Sequence, residues 1–157
     1  MLFVHVLLSL LGIASGLVVS YGLLKAKRLD TWTVIFLATT VATSVTGFFL
    51  PAEHFLPSHA VGIVSLAVLA LAIPARYTFH LAGALRTTYV IGAMIALYLN
   101  VFVLVVQLFR RVPALDAAAP TQTEPPFVAA QLIVLVLFVL LTIFAAIKFR
   151  DDQLHTV

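Results

Sequence analysis

The chain has no cysteine, which excludes disulfides, thiolate catalysis, Cys-ligated zinc and iron–sulfur clusters on its own residues. Charge is scarce as well: 10% of the 157 residues are Asp, Glu, Lys or Arg, against 63% hydrophobic. A soluble domain averages roughly 45–50% apolar and about 25% charged residues, so this surplus of apolar surface has to face lipid. No phosphate loop, nucleotide fingerprint, HExxH pair or Ser-His-Asp order is present. No Asp or Glu lies inside an apolar run, which argues against a proton pump built on a buried carboxylate relay. The basic residues are split among short loops, so no nucleic-acid patch forms.

What is present is a succession of apolar runs. A membrane-spanning helix needs about 20 mostly apolar residues, and the sequence supplies five such stretches, near residues 2–24, 31–50, 58–79, 87–109 and 127–148. The first has no basic segment before it and no small-residue cleavage site after it, and reads as a retained span. Lys25, Lys27 and Arg28 stop it. Asp30 stands where an N-cap of the second would be, and Pro51 closes that span. The third meets Pro74 after about 16 residues, or roughly 24 Å, short of a hydrocarbon core of roughly 30 Å. The span must therefore run through Pro74, with a kink, to about residue 79. The longest loop, 112–126, is rich in Pro and Ala. The expected fold is all-α: a polytopic transmembrane bundle of five spans in one domain covering 1–157.

Lys and Arg gather on the cytoplasmic side of membrane proteins. Lys25, Lys27, Arg28, Arg76, Arg86, Lys148 and Arg150 fall on one side of a five-span chain, and only Arg110 and Arg111 on the other. The expected topology is N-out and C-in, with Tyr21 and Trp32 as interfacial aromatics near the inner side. The seven inner cations are expected to set this topology and to contact anionic membrane lipid, each contributing about 1 kcal/mol near the surface.

The outer side then collects His5, Glu53, His54, His59 and Glu124, with Asn100, Gln107 and Gln131 in the membrane toward the same end. Imidazole and carboxylate suit a transition metal, and two histidines from different helices suit a haem. The metal or haem candidates are therefore His5, Glu53, His54 and His59, weighed against histidines that merely end helices at an interface. Asn100 and Gln107, seven residues apart, share a face of the fourth span that Arg86, Tyr89, Ala93 and Ala96 continue. With Glu124 and Gln131 they are the candidate ligand contacts, weighed against plain interhelical hydrogen bonds. The second span carries Thr39, Thr40, Thr43, Ser44 and Thr46, hydroxyls that can also bond their own backbone four residues back. Gly12, Gly16 and Ser20 make a small-xxx-small seam suited to close packing on the second span, or to a homodimer.

Several segments have a familiar cast: TGFFLP at 46–51, EHFLPSH at 53–59, FHLAGALR at 79–86, ALYLNVFVLVVQ at 96–107 and APTQTEPPF at 119–127. Together they resemble a family of small uncharacterised bacterial inner-membrane proteins. The resemblance implies a multi-pass protein of the bacterial inner membrane, and carries over no catalytic residue and no activity. The functional expectation is a non-enzymatic membrane protein with an outer-side pocket for a small ligand, lipid or quinone. The alternatives are a haem- or metal-binding redox component and a small transporter or channel.

Overall fold

A computed structural model describes residues 2–50 and 57–151, the side chains of Pro57, Arg150 and Asp151 excepted. Glu53, His54 and the side chain of Arg150 therefore lie outside the described residues. Within them the chain is all-helical, with no strand: α1 Leu2–Leu24, α2 Asp30–Gly47, α3 Pro57–Tyr77, α4 Ala84–Arg111, α5 Pro113–Ala118 and α6 Pro125–Asp151. Four of these, α1, α3, α4 and α6, are long and apolar enough to cross a membrane. The fifth expected span, α2, is an 18-residue helix that falls short of that hydropathy because Asp30 at its start and the hydroxyls of Thr31, Thr33, Thr39, Thr40, Thr43, Ser44 and Thr46 dilute it.

Three of those seven hydroxyls bond backbone four residues back. Thr33 donates to the Leu29 carbonyl at 2.8 Å, Thr39 to Ile35 at 2.7 Å and Thr46 to Ala42 at 2.7 Å. A hydroxyl bonded to its own backbone makes little demand on its surroundings. At 1.5 Å per residue, α2 is about 27 Å long, close to the hydrocarbon thickness.

Contacts between specific residues give the register. His5 meets Thr46, Gly12 meets Thr39 and Thr40, and Gly16 meets Phe36, so α1 and α2 run antiparallel. Ser44 bonds Ser65 and Arg76 pairs with Asp30, which sets α3 antiparallel to α2. Gly92 lies against Ala72, and Gln131 bonds the Phe102 carbonyl. The helices form a ring, α1–α2–α3–α4–α6, in which α4 also reaches across to α1 and α2. That position explains why α4 has a buried stripe of Tyr89, Ala93, Ala96, Leu97 and Asn100. At the other extreme α6 is apolar all round, with Ile133, Val136, Leu140 and Phe144 exposed. An all-round apolar helix with so little protein cover is suited to a lipid environment.

Three local expectations change. Asp30 does not cap α2: Leu29 occupies the cap position with no side-chain bond, and the Asp30 carboxylate turns to Arg76 instead. The 112–126 loop contains the short helix α5, started by Pro113 at its first turn. Helix α4 begins at Ala84 rather than at residue 87, directly after Gly83, whose φ of 52° suits glycine. Helix α1 ends as its basic stop implied, by a Schellman-type closure. Lys27 N–H donates to Gly22 at 2.8 Å and Ala26 N–H to Leu23 at 3.2 Å, with Ala26 left-handed at φ 54°.

Candidate functional site

At the end of the bundle where α1 begins and α2 ends, helices α1 to α4 enclose a cavity of about 120 Å³. Each helix brings polar groups to it at helical spacing. From α1 come His5 and Ser9, one turn apart, and from α2 Thr43, Ser44 and Gly47. From α3 come Ser58, His59, Gly62 and Ser65, and from α4 Asn100, Val103 and Gln107. Residues at steps of three, four or seven share a helix face, so each set points one way. The lining contains no Lys, Arg, Asp or Glu among the described residues.

Most of these groups already have partners. The Ser44 hydroxyl donates to Ser65 at 3.1 Å, and Asn100 donates from Nδ2 to Thr40 at 3.2 Å. His5 Nδ1 lies 3.0 Å from the Thr46 hydroxyl oxygen. Gln107 accepts from Arg111 Nε at 3.2 Å. The His59 ring is stacked on Phe48, centroids 5.6 Å apart and planes 17° from parallel, and forms a flat wall. The Thr43 hydroxyl differs from the rest: it is buried, it lines the cavity, and it has no hydrogen-bond partner among the described residues. Buried polar side chains nearly always have a partner, so this hydroxyl remains available to a bound group.

The cavity is closed below. Asn100 and Thr40 lie beside Gly12, and one turn further in Phe36 and Leu97, each 1% exposed, pack onto Gly16. Gly12 and Gly16, expected at a seam with α2 or a second chain, are thus filled by α2 and α4 of their own chain. Ser20, the next seam residue, is also buried.

Four of the ligand and metal candidates, His5, His59, Asn100 and Gln107, meet at this cavity. Gln131 does not: its Nε2 donates to the Phe102 carbonyl at 3.2 Å, tying α6 to α4. Glu124 does not either. It precedes α6, where its carboxylate accepts from Thr121 Oγ1 at 2.7 Å, Thr121 N–H at 3.2 Å and Thr123 N–H at 3.0 Å. The Thr121 hydroxyl bond is the largest of the causes that hold the Glu124 pKa below its ordinary value. Among the described residues no three His, Asp or Glu side chains gather as a metal site. The sequence reading missed Ser9 and Ser65, although Ser9 stands one helical turn from His5, a residue already singled out.

Arg110 and Arg111 end α4 at the cavity end, whereas the cations expected on the inner side lie at the opposite end. Lys25, Lys27, Arg28 and Lys148 are exposed there, and Arg86 is half-buried. Arg76 departs from the lipid-facing expectation: its side chain is 5% exposed, paired with Asp30 and laid over the Tyr89 ring at 4.9 Å. A carboxylate and an aromatic face answer its charge inside the protein, where lipid phosphate was expected to do so. Near Arg86 a wider groove of about 970 Å³ runs between α3 and α4, walled by Val68, Leu71, Ile91 and Ile95.

No protein-family model, curated protein or solved structure matches the chain.

Proposed function

We propose that the chain is a five-span protein of a bacterial inner membrane, N-out and C-in, and that its outer-end cavity binds a small neutral hydrogen-bonding ligand. The topology reading is supported by the gathering of Lys25, Lys27, Arg28, Arg86 and Lys148 at one end, opposite Arg110 and Arg111. It is supported also by the backbone bonds of Thr33, Thr39 and Thr46, which lower the cost of a fifth crossing by α2. A reporter fused to the C-terminus is expected to be active only in the cytoplasm, and activity outside would reverse the orientation.

The observation that carries the binding reading is the convergence of polar groups from four helices on one cavity, where the buried Thr43 hydroxyl has no partner among the described residues. A cavity of about 120 Å³ is smaller than the roughly 300–1,000 Å³ of drug-sized pockets. It compares with the ~150 Å³ engineered cavity that takes benzene. The fit is therefore to one ring or one headgroup. The packed layer of Phe36 and Leu97 on Gly16 favours binding over conduction, because it interrupts the polar lining. Mass spectrometry of protein purified from its native membrane is expected to find a co-purifying lipid or quinone that is lost from Asn100→Leu. Nothing co-purifying, together with solute leakage from proteoliposomes, would turn the assignment to transport. A Soret band abolished by His5→Phe would turn it to haem ligation by His5 and His59.

A further inference from the structure

The hydrogen-bond assignments at the cavity determine which of its atoms accept and which donate. The Thr46 hydroxyl has one proton, and at 2.7 Å it is given to the Ala42 carbonyl. The contact between Thr46 Oγ1 and His5 Nδ1 at 3.0 Å must then use the proton on Nδ1. On that assignment neutral His5 is the Nδ1–H tautomer, which leaves Nε2 of this cavity-lining ring as an acceptor. The Thr43 hydroxyl, which can both donate and accept, supplies the second hydrogen-bonding group. Among the described residues the lining holds no Lys, Arg, Asp or Glu, so they offer a charged ligand no counter-ion. The stacked pair of His59 and Phe48 offers a plane against which a ring can lie.

We infer that the cavity selects a neutral hydroxylated ring, the phenol or hydroquinone head, whose O–H donates to His5 Nε2 while its oxygen accepts from Thr43. This rests on the cavity being a binding site and adds its specificity. A ring of the same size with only carbonyl or ether oxygens presents a lone pair to the Nε2 lone pair and loses the bond. Thr46 is the positioning residue, since it holds the tautomer without touching the ligand.

The test compares 4-methoxyphenol with 1,4-dimethoxybenzene on the full chain in nanodiscs, with binding followed by ligand-observed NMR. The phenol is expected to bind about five- to tenfold more tightly, the worth of one neutral hydrogen bond. His5→Phe is expected to abolish the preference while the ether still binds. Thr46→Val is expected to reduce the preference by freeing the other tautomer, with the fold intact. 4-Decyloxyphenol separates the sources of such a head. A further gain after correction for partitioning into lipid assigns a membrane-resident quinol, and no gain assigns a soluble phenol. Nitrogen-15 shifts of His5 are expected to show the Nδ1–H form. The Nε2–H form, or equal binding of phenol and ether in the wild type, overturns the inference and leaves the binding site standing. If neither compound binds, the inference falls as well, and the co-purification experiment decides the binding reading.

Discussion

Replacing Gly16 by alanine tests the packing beneath the cavity. A Cβ there would stand 2.5 Å from Leu97 Cδ1 and 2.8 and 2.9 Å from Phe36 Cε2 and Cδ2. Carbon atoms prefer separations of about 3.5–4.0 Å, so roughly 1 Å has to be recovered. Leu97 and Phe36 are each 1% exposed, so moving either one disturbs packed neighbours. Overpacking of this kind costs about 1–3 kcal/mol, against a helix-propensity gain of up to about 1 kcal/mol for Gly→Ala. The net expectation is a loss of about 1–2 kcal/mol. Gly12 is the control: its Cβ would meet Thr39, Thr40 and Asn100 side-chain atoms at 3.3, 3.4 and 3.5 Å. These contacts are tight but not clashing, and Gly12→Ala is expected to stay within about 0.5 kcal/mol of wild type. The assay is reversible unfolding by SDS in mixed micelles, with oligomeric state followed in parallel by light scattering. If Gly16→Ala is as stable as Gly12→Ala, the reasoning is refuted. If it splits a dimer while leaving the monomer's stability unchanged, the glycine seam belongs to an interface between chains.

Three further outcomes follow from the same structure. Asp30→Asn leaves the buried Arg76 guanidinium without its carboxylate, and a loss of about 1–3 kcal/mol is expected, at the lower end because Asp30 is 77% exposed. Adding Arg76→Met should recover most of that loss in the same unfolding assay, and a double variant weaker than the single would contradict the account. Glu124 titrates below an ordinary carboxyl because the ionised form accepts the bond from Thr121. Its contribution to holding the turn before α6 is thus complete above the unfolded-state pKa and disappears as pH falls through the lower folded pKa. A carbon-13 titration should show the depressed midpoint, with Thr121→Val moving it up, and an unmoved midpoint would assign the shift elsewhere. Ala26→Gly should stabilise the end of α1 by up to about 1 kcal/mol, because Ala26 is left-handed at φ 54°. A neutral or destabilising result in the unfolding assay would show that the Schellman geometry does not limit stability there.

Much of this architecture was legible in one dimension. Helix α1 follows the apolar run 2–24 residue for residue, α3 passes through Pro74, and the stripe on α4 faces inward. The site was legible in part. His5, His59, Asn100 and Gln107 were singled out by being polar residues at one end of apolar runs, and the cavity contains all four. Ser9 and Ser65 escaped notice because an isolated serine in an apolar run carries no signal until a neighbouring helix answers it. Glu124 and Gln131 shared the same end of the chain's runs, yet one serves a turn and the other a helix contact.

By itself, then, the sequence determined a helical chain with long apolar segments, basic stops at one end and polar residues at the other. Hydropathy and helical spacing are properties of single segments, and a single segment suffices to read them. Only the tertiary structure decided that Asp30 answers Arg76, that Gly16 receives Phe36 and Leu97, and that Thr46 meets His5. Each depends on the rotation and register of two helices against each other. Residues 41 and 46 positions apart in the chain become partners only when those degrees of freedom are set.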